Sequence, residues 1–225
     1  MIWAIVTIAE RRAIADALLA RLGGDAFLIV DHARDVQHSH ARAWREACAR
    51  GGAWVGVMQD DVILSDDFEA RVAARLREAD ARAIRVVSLY NHAHNDRYLE
   101  RVDERWARVD LGRIGPIVST IDDGQQIRSA IPGEQAVLAR REVAHHYAAF
   151  VEHNAALYRS FPRVHDGLLG LFFNSHLAGT PDLGTVADNH VYIAIPNLVD
   201  HRDDVASSLG DPRVRRSSTF HAGAR

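Results

Sequence analysis

The stretch Trp54-Val55-Gly56-Val57-Met58-Gln59-Asp60-Asp61-Val62 is a short apolar run that ends in two adjacent acids. An apolar run of about four to eight residues before a polar break predicts a buried strand. Two neighbouring carboxylates at the end of a strand repel each other unless a cation, a proton or a basic group offsets their charge. Ligands of α/β sheets bind at the carboxyl ends of the strands, so this stretch indicates both a fold class and the place of a site.

Strands and helices alternate around this stretch, whose own strand is predicted at residues 53–58. Earlier strands are predicted at residues 2–8 and 26–30. Helices are predicted at residues 10–22 and 39–49, the second with Ser39 as its N-cap. This alternation predicts an α/β fold of Rossmann-like type, with a mostly parallel central sheet flanked by helices.

The second half of the chain is less regular. Residues 91–115 are polar and predict an irregular segment. A small antiparallel hairpin is predicted for residues 117–121 and 127–131, turned by Asp122-Asp123-Gly124. Further helices are predicted at residues 66–78, 141–158 and 166–174, and further strands at residues 84–89, 135–139 and 191–195.

Composition narrows the class of protein. A chain of 225 residues with 48% hydrophobic residues fits one α/β domain. The formal net charge of −3 argues against tight nonspecific binding of nucleic acid. Cys48 is the single cysteine, which excludes an intrachain disulfide and a multi-cysteine metal site. There is no signal-peptide pattern, and no apolar run approaches the roughly 18 residues of a membrane span, so we expect a cytoplasmic protein.

Asp60 and Asp61 are the first candidates for chemistry. Two hard oxygen ligands at the edge of a sheet, with water and phosphate completing the shell, suit Mg²⁺ or Mn²⁺. The motif therefore suggests an enzyme that acts on a phosphorylated substrate. The alternative is an ordinary turn or helix start, where aspartate is common.

Two later elements carry further candidates. Pro196-Asn197-Leu198-Val199-Asp200-His201 places a histidine after a predicted strand, where its imidazole could bind a metal or simply face solvent. His165-Asp166-Gly167-Leu168-Leu169-Gly170 places an acid at the start of an apolar helix. Asp166 could be the N-cap of that helix or a general base that takes a proton from an attacking hydroxyl.

The N-terminal segment could line a pocket for a nucleotide donor. Thr7, Ala9 and Arg11 follow the first strand, where nucleotides usually bind in such sheets. Asp31 follows the second strand and could hold a base or ribose, and Arg42 could pair with a phosphate. Each of these residues could also be an exposed polar residue without a ligand.

Three elements in this order resemble the small glycosyltransferases of actinobacteria and their phages, which are similar to the GT-A class of nucleotide-sugar-dependent transferases. They are the strand ending in Gln59-Asp60-Asp61-Val62, the His165-Asp166-Gly167-Leu168 helix start, and Pro196-Asn197-Leu198-Val199-Asp200-His201 with Ser207-Ser208-Leu209-Gly210 downstream. The resemblance extends to about Phe220 and rests on the order and spacing of the elements. It implies a GT-A-like fold and a cytoplasmic enzyme, in the host cytoplasm if phage-encoded.

The resemblance also implies roles for these residues. The acidic DxD-type motif of the class falls on Gln59-Asp60-Asp61. Asp61 would bind a Mn²⁺ or Mg²⁺ ion that bridges the donor's diphosphate, and His201 would complete the metal shell. Asp60 would contact the donor's ribose or sugar, or share the metal. Asp166 would be the base of an inverting reaction, or would only position the acceptor in a retaining one.

The chain departs from the pattern of this class at two positions. Gln59 stands where an acid is common, and a neutral amide there should weaken metal binding. His165 precedes Asp166, where a paired acid is frequent. On the acceptor side we place His165 together with Asn91 and His92, which follow a predicted strand.

The expected partner is a UDP- or GDP-linked sugar donor, and the acceptor could be a protein, a glycan or modified DNA. We expect residues 1–90 to bind the donor, residues 91–204 to bind the acceptor and carry catalysis, and residues 205–225 to form a tail. A nucleotidyltransferase is the alternative enzyme, although the segment Thr7-Ile8-Ala9-Glu10-Arg11-Arg12 lacks the glycines of a triphosphate loop. Gln59 favours a third possibility, a catalytically weak nucleotide- or sugar-binding module.

Overall fold

The computed structural model describes residues 1–110, 113, 118–121, 124–127, 135–158, 172, 190–202, 204 and 219. Within these residues the chain forms an α/β domain around an eight-stranded sheet. The α-helices are α1 (Arg12–Leu22), α2 (Val36–Ala49), α3 (Phe68–Ala81) and α4 (Arg141–Tyr158). None of the described helices combines the length and apolar character that crossing a membrane would require.

Strands β1 to β12 follow in chain order. They are Ile2–Ile8, Ala26–Asp31, Trp54–Gln59, Val62–Leu64, Val86–Ser88, Leu99–Arg101, Trp106–Val109, Val118–Ile121, Gly124–Ile127, Ala136–Arg140, Val191–Ala194 and Val199–His201. The large sheet has the order β2-β1-β3-β10-β5-β11-β7-β6. Strands β10 and β7 run antiparallel to their neighbours, so the other six strands share one direction. The expected mostly parallel sheet is confirmed.

Helices cover both faces of this sheet. On one face α2 and α4 pack together over Ala4, Val55 and Val57. On the other face α1 and α3 pack over Trp3 and Met58. Because both faces of β3 are covered, its first five residues are all buried, which explains the continuous apolar run seen in the sequence.

Two features of the second half differ from the sequence-based expectation. Residues 91–115 are not irregular throughout, because a 3₁₀ helix at Ala93–Tyr98 precedes β6 and β7. Both strands contain only three or four residues, too few to show a clear alternation. A hairpin is present as β8 and β9, but β9 spans Gly124–Ile127 and shares only Ile127 with the second strand predicted at residues 127–131.

The start of α2 is also earlier than expected. The N-cap is Asp35 rather than Ser39, and its side chain accepts a hydrogen bond from the backbone N–H of His38 at 3.0 Å. Ser39 lies inside the helix and is buried. The expected helix at 166–174 and the expected tail at 205–225 fall outside the described residues, apart from the isolated positions Phe172 and Thr219.

Candidate active site

The carboxyl ends of β1, β3, β5 and β11 meet at one edge of the sheet, because these four strands point in the same direction. In the β1–β3 ladder Val6 lies opposite Gln59, so the next residues, Thr7 and Asp60, come side by side. The parallel register therefore brings the end of the first strand against the acid pair.

Asp60 is buried and both of its carboxylate oxygens have partners. The Thr7 hydroxyl donates to Oδ2 at 2.5 Å, and Arg11 Nη1 donates to Oδ1 at 2.8 Å. Asp60 is only 3% exposed, so a charge there needs such donors. Its two oxygens face the chain's own donors rather than an open ligand position.

Arg11 bridges the two acids. The same nitrogen that contacts Asp60 lies 3.1 Å from Asp61 Oδ2, and the Arg11 side chain is 10% exposed. Arg11 ends a short 3₁₀ turn, Ala9–Arg11, that follows β1. Two buried carboxylates therefore share one guanidinium cation.

Asp61 meets His201 through a small second sheet. Strands β4 and β12 pair antiparallel with His201 opposite Val62, directly after Asp61. His201 Nε2 lies 3.5 Å from Asp61 Oδ2, and both side chains are buried. The backbone N–H of Arg202 donates to the Asp61 carbonyl at 2.9 Å, which fixes the two segments together.

Burial and two neighbouring side chains together set the pKa of Asp61. Burial acts to raise the pKa of Asp61, but the hydrogen bond and charge of His201, followed by Arg11, hold this pKa below its ordinary value. Burial raises the pKa of Asp60, against the opposing effects of Thr7 and Arg11. Burial lowers the pKa of Arg11, but the two carboxylates outweigh it and hold the pKa above its ordinary value. Asp61 is therefore the acid that keeps its negative charge most firmly.

Two buried polar atoms of this pair have no hydrogen-bond partner among the described residues: Asp61 Oδ1 and His201 Nδ1. A buried carboxylate oxygen without a donor is costly and suits a cation. Within the same part of the chain, no group of three or more His, Cys, Asp or Glu side chains is arranged as a metal site. Asp61 and His201 are therefore the two side chains that could hold a metal ion at this position. Asp60 does not fit as a third ligand in this arrangement.

A cleft of about 230 Å³ opens at the same edge, beyond the ends of β5 and β11. Its polar lining includes Asn91, Asp96, Arg101 and Asn197, and its apolar wall is formed by Leu99, Ala107, Ile193 and Ile195. Strands β10 and β5 lie between β3 and β11, so the part of the cleft formed by Ile193 of β11 is about three strand spacings, roughly 14 Å, to the side of β3.

A single short segment joins the cleft to the acid pair. Asn197 lines the cleft and donates from Nδ2 to the Asn91 carbonyl at 3.0 Å. Four residues later His201 contacts Asp61, and Leu198 between them donates its backbone N–H to the Leu89 carbonyl at 2.9 Å. Residues 197–201 therefore connect the cleft to the acid pair.

The structure places the remaining predicted donor residues as follows. Asp31 ends β2 opposite Ile8 and is buried, with Oδ1 accepting from the Asp35 backbone N–H at 3.1 Å. Ala9 is exposed in the turn after β1. Gln59 ends β3 and donates its backbone N–H to the Gln135 carbonyl.

Arg42 is the donor residue that the structure does not bring to the acid pair. It lies on the exposed side of α2, where Nε pairs with Glu46 Oε1 at 2.6 Å. Its predicted role with phosphate stays a prediction. Among the acceptor-side residues, Asn91 is buried and His92 half-buried after β5, whereas His165 and the predicted base Asp166 fall outside the described residues.

Asp96, Arg101 and Asn197 are the site residues that the sequence reasoning did not single out. Asp96 belongs to the 3₁₀ helix and Arg101 to β6, both in the segment expected to be irregular. The signal available for Asn197 was its place in the segment that ends at His201.

Known proteins add little to this description. No protein-family model and no curated protein matches the chain. Two solved structures are similar in shape. A197 from STIV has a TM-score of 0.49 at 13% identity and covers 100% of this chain and 98% of its own. A glycosyltransferase involved in the glycosylation of the major capsid of PBCV-1 has a TM-score of 0.41 at 8% identity, covering 87% of this chain and 93% of its own. At such low identities and TM-scores, neither structure identifies an activity for this chain.

Proposed function

We propose that this protein is a glycosyltransferase that moves a sugar from a nucleoside-diphosphate donor to an acceptor hydroxyl with the help of a divalent cation. The observation that carries the proposal is the meeting of Asp61 and His201 at the carboxyl edge of β3, with 3.5 Å between Oδ2 and Nε2. A buried carboxylate and an imidazole at this edge are suitable ligands for Mn²⁺ or Mg²⁺, and the diphosphate would supply further oxygens.

Asp61 and His201 would hold the cation. When bound, the cation supplies positive charge to a diphosphate leaving group. Asp60 has a separate task, since Thr7 and Arg11 occupy its oxygens in the structure. We assign Asp60 to the donor's ribose or sugar, whose hydroxyls can replace the Thr7 contact. Asp31, which ends β2 at the same edge, would bind the nucleoside.

On the acceptor side, the cleft beside Asn91 and His92 supports binding of one small polar unit. Its volume of about 230 Å³ is below the roughly 300 Å³ of the smallest drug-sized pockets. The lining combines one acid, one arginine, two amides and one hydroxyl with four apolar side chains, which suits a ring with polar and apolar groups. Asp166 remains the proposed base, or the residue that positions the acceptor.

A donor screen tests the proposal. The protein is incubated with Mn²⁺ and a set of UDP- and GDP-linked sugars, and release of the nucleoside diphosphate is followed by mass spectrometry. We expect release from at least one donor, and its loss in Asp61→Asn. No release from any donor with any offered acceptor hydroxyl, water included, would count against transfer activity.

A nucleotide- or sugar-binding module with little activity is the second candidate. Gln59 favours it, because an amide at this position offers weaker support to a cation than a carboxylate. Calorimetry with UDP and GDP separates the two functions. Binding of the nucleotide without turnover of any donor would favour the module, whereas turnover would favour the transferase.

A further inference from the structure

The guanidinium of Arg11 lies between the carboxylates of Asp60 and Asp61. Arg11 Nη1 lies 2.8 Å from Asp60 Oδ1 and 3.1 Å from Asp61 Oδ2, in a place from which solvent is nearly excluded. We propose that Arg11 and the divalent cation exclude each other at the acid pair, and that Arg11 turns to the donor's diphosphate when the cation is bound. This inference rests on the proposed function and adds the switch that controls the same site.

Charge is the first reason for this exclusion. Without a metal, Arg11 offsets the repulsion of two buried carboxylates that are adjacent in sequence. A divalent ion bound to Asp61 would stand a few ångströms from the guanidinium, and like charges at such a distance repel strongly in a buried place. A divalent ion at Asp61 would therefore displace the guanidinium from the pair.

The place of Arg11 in the fold is the second reason. It ends a turn of three residues in which Ala9 and Glu10 are exposed, and no side chain caps this turn. Arg11 therefore lies at the border between an exposed turn and the buried acids. A guanidinium released at this edge lies beside the proposed diphosphate, which it can bind through two parallel hydrogen bonds.

Binding of Mn²⁺ in the absence of nucleotide tests the first half of the proposal. Isothermal titration calorimetry compares the wild type with Arg11→Met, which keeps the length of the side chain and removes its charge. We expect Mn²⁺ to bind about tenfold more tightly to Arg11→Met, since no charged hydrogen bond must then be broken. Mn²⁺ should also raise the Tm of this variant more than that of the wild type.

Binding of UDP and GDP at saturating Mn²⁺ tests the second half. We expect Arg11→Met to bind the nucleotide about tenfold more weakly, because the diphosphate loses one charged donor. The change thus has opposite signs for metal and nucleotide. A merely structural role of Arg11 would weaken both, and Arg11→Lys should recover part of the nucleotide affinity.

Arg202→Gln is the matched control. Its backbone N–H contacts the Asp61 carbonyl, but its guanidinium pairs with Asp204 and does not bridge the acids. We expect less than a twofold change in Mn²⁺ affinity. Equal tightening in Arg202→Gln and Arg11→Met would mean that only overall charge matters, and would overturn the proposal.

The remaining outcomes are also decisive. Unchanged or weaker Mn²⁺ binding in Arg11→Met, with normal binding in the wild type, overturns this inference and leaves the proposed function standing. Absence of Mn²⁺ binding in every variant, both without nucleotide and with UDP or GDP present, overturns both. If circular dichroism shows that Arg11→Met does not fold, Arg11→Lys takes its place, with a smaller tightening expected because the shorter amine cannot span both carboxylates.

Discussion

His201 Nε2 lies 3.5 Å from Asp61 Oδ2, although the two residues are distant in the sequence. Two three-residue strands produce this contact. β12, which follows β11 in the chain, pairs with β4, and β4 begins directly after Asp61. Neither strand extends the large sheet. The pairing of β4 with β12 thus serves to hold the imidazole against the carboxylate.

Removing the charge of Asp61 should abolish the activity. In Asp61→Asn we expect the rate of nucleoside-diphosphate release to fall by about 100-fold or more, the order seen when one electrostatic group is removed from a reaction site. Mass spectrometry of the released nucleotide measures this rate. Asp16→Asn, an exposed carboxylate on α1 that pairs with Arg12, is the control and should keep the wild-type rate. Near-normal release in Asp61→Asn would reject the role of this residue.

The Thr7 hydroxyl should contribute to stability through Asp60. Thr7→Val removes a 2.5 Å hydrogen bond to a buried carboxylate, so we expect the free energy of unfolding to fall by about 1–3 kcal/mol. Urea denaturation at neutral pH measures the change. Thr7→Ser keeps the hydroxyl and should lose much less. A loss in Thr7→Ser with none in Thr7→Val would mean that the methyl group, rather than the hydrogen bond, matters.

Gly56 should resist enlargement. A Cβ at this position would overlap the Trp3 ring and lie 2.9 Å from Leu138 Cδ2, in the middle of the sheet. Gly56→Ala should therefore destabilise the protein by about 1–3 kcal/mol, as overpacked cores do. Gly24→Ala is the control, since a Cβ there meets nothing within 4 Å. A thermal melt of Gly56→Ala that matched the wild type would show that Trp3 can move aside freely.

Burial raises the pKa of the Cys48 thiol to about 11, with the charge of Arg141 opposing weakly. The unfolded thiol titrates near roughly 8.5, so the folded state holds its proton longer. The contribution of Cys48 to stability is therefore present below about pH 8.5 and is lost as pH rises from there towards 11. We expect iodoacetamide to alkylate the native protein at pH 8.5 far more slowly than the protein in urea. Equal rates would contradict a partly buried, protonated thiol.

The first half of the fold could be predicted from sequence because each of its elements is long enough to show a pattern. The predicted bounds of β1 agree with the structure, and those of β2 and β3 differ by about one residue. The strands β4, β6 and β12 contain three residues each and show no period. Their positions depend on partners that are remote in the sequence, which a single sequence does not reveal.

The sequence allowed the acid pair of the site to be predicted, but not the position of Arg11 between the two acids. The acid pair is marked by an apolar run that stops abruptly, and the carboxyl end of a strand is the usual place for ligands. Arg11 and Arg12, by contrast, are adjacent residues of the same type whose side chains lie in different environments. Arg11 turns inward to the acids, whereas Arg12 pairs with Asp16 in solvent. The boundary between the 3₁₀ turn and α1 falls between these two residues, and no residue type in the segment indicates where it lies.

The most direct measurement of the central claim is a calorimetric titration of the full chain with UDP and with GDP, each with and without Mn²⁺. The site described here predicts that at least one nucleotide binds, that Mn²⁺ tightens the binding, and that both His201→Ala and Asp61→Asn remove the effect of Mn²⁺. Failure of both nucleotides to bind in the presence of Mn²⁺ would contradict the claim, and so would binding that Mn²⁺ leaves unchanged.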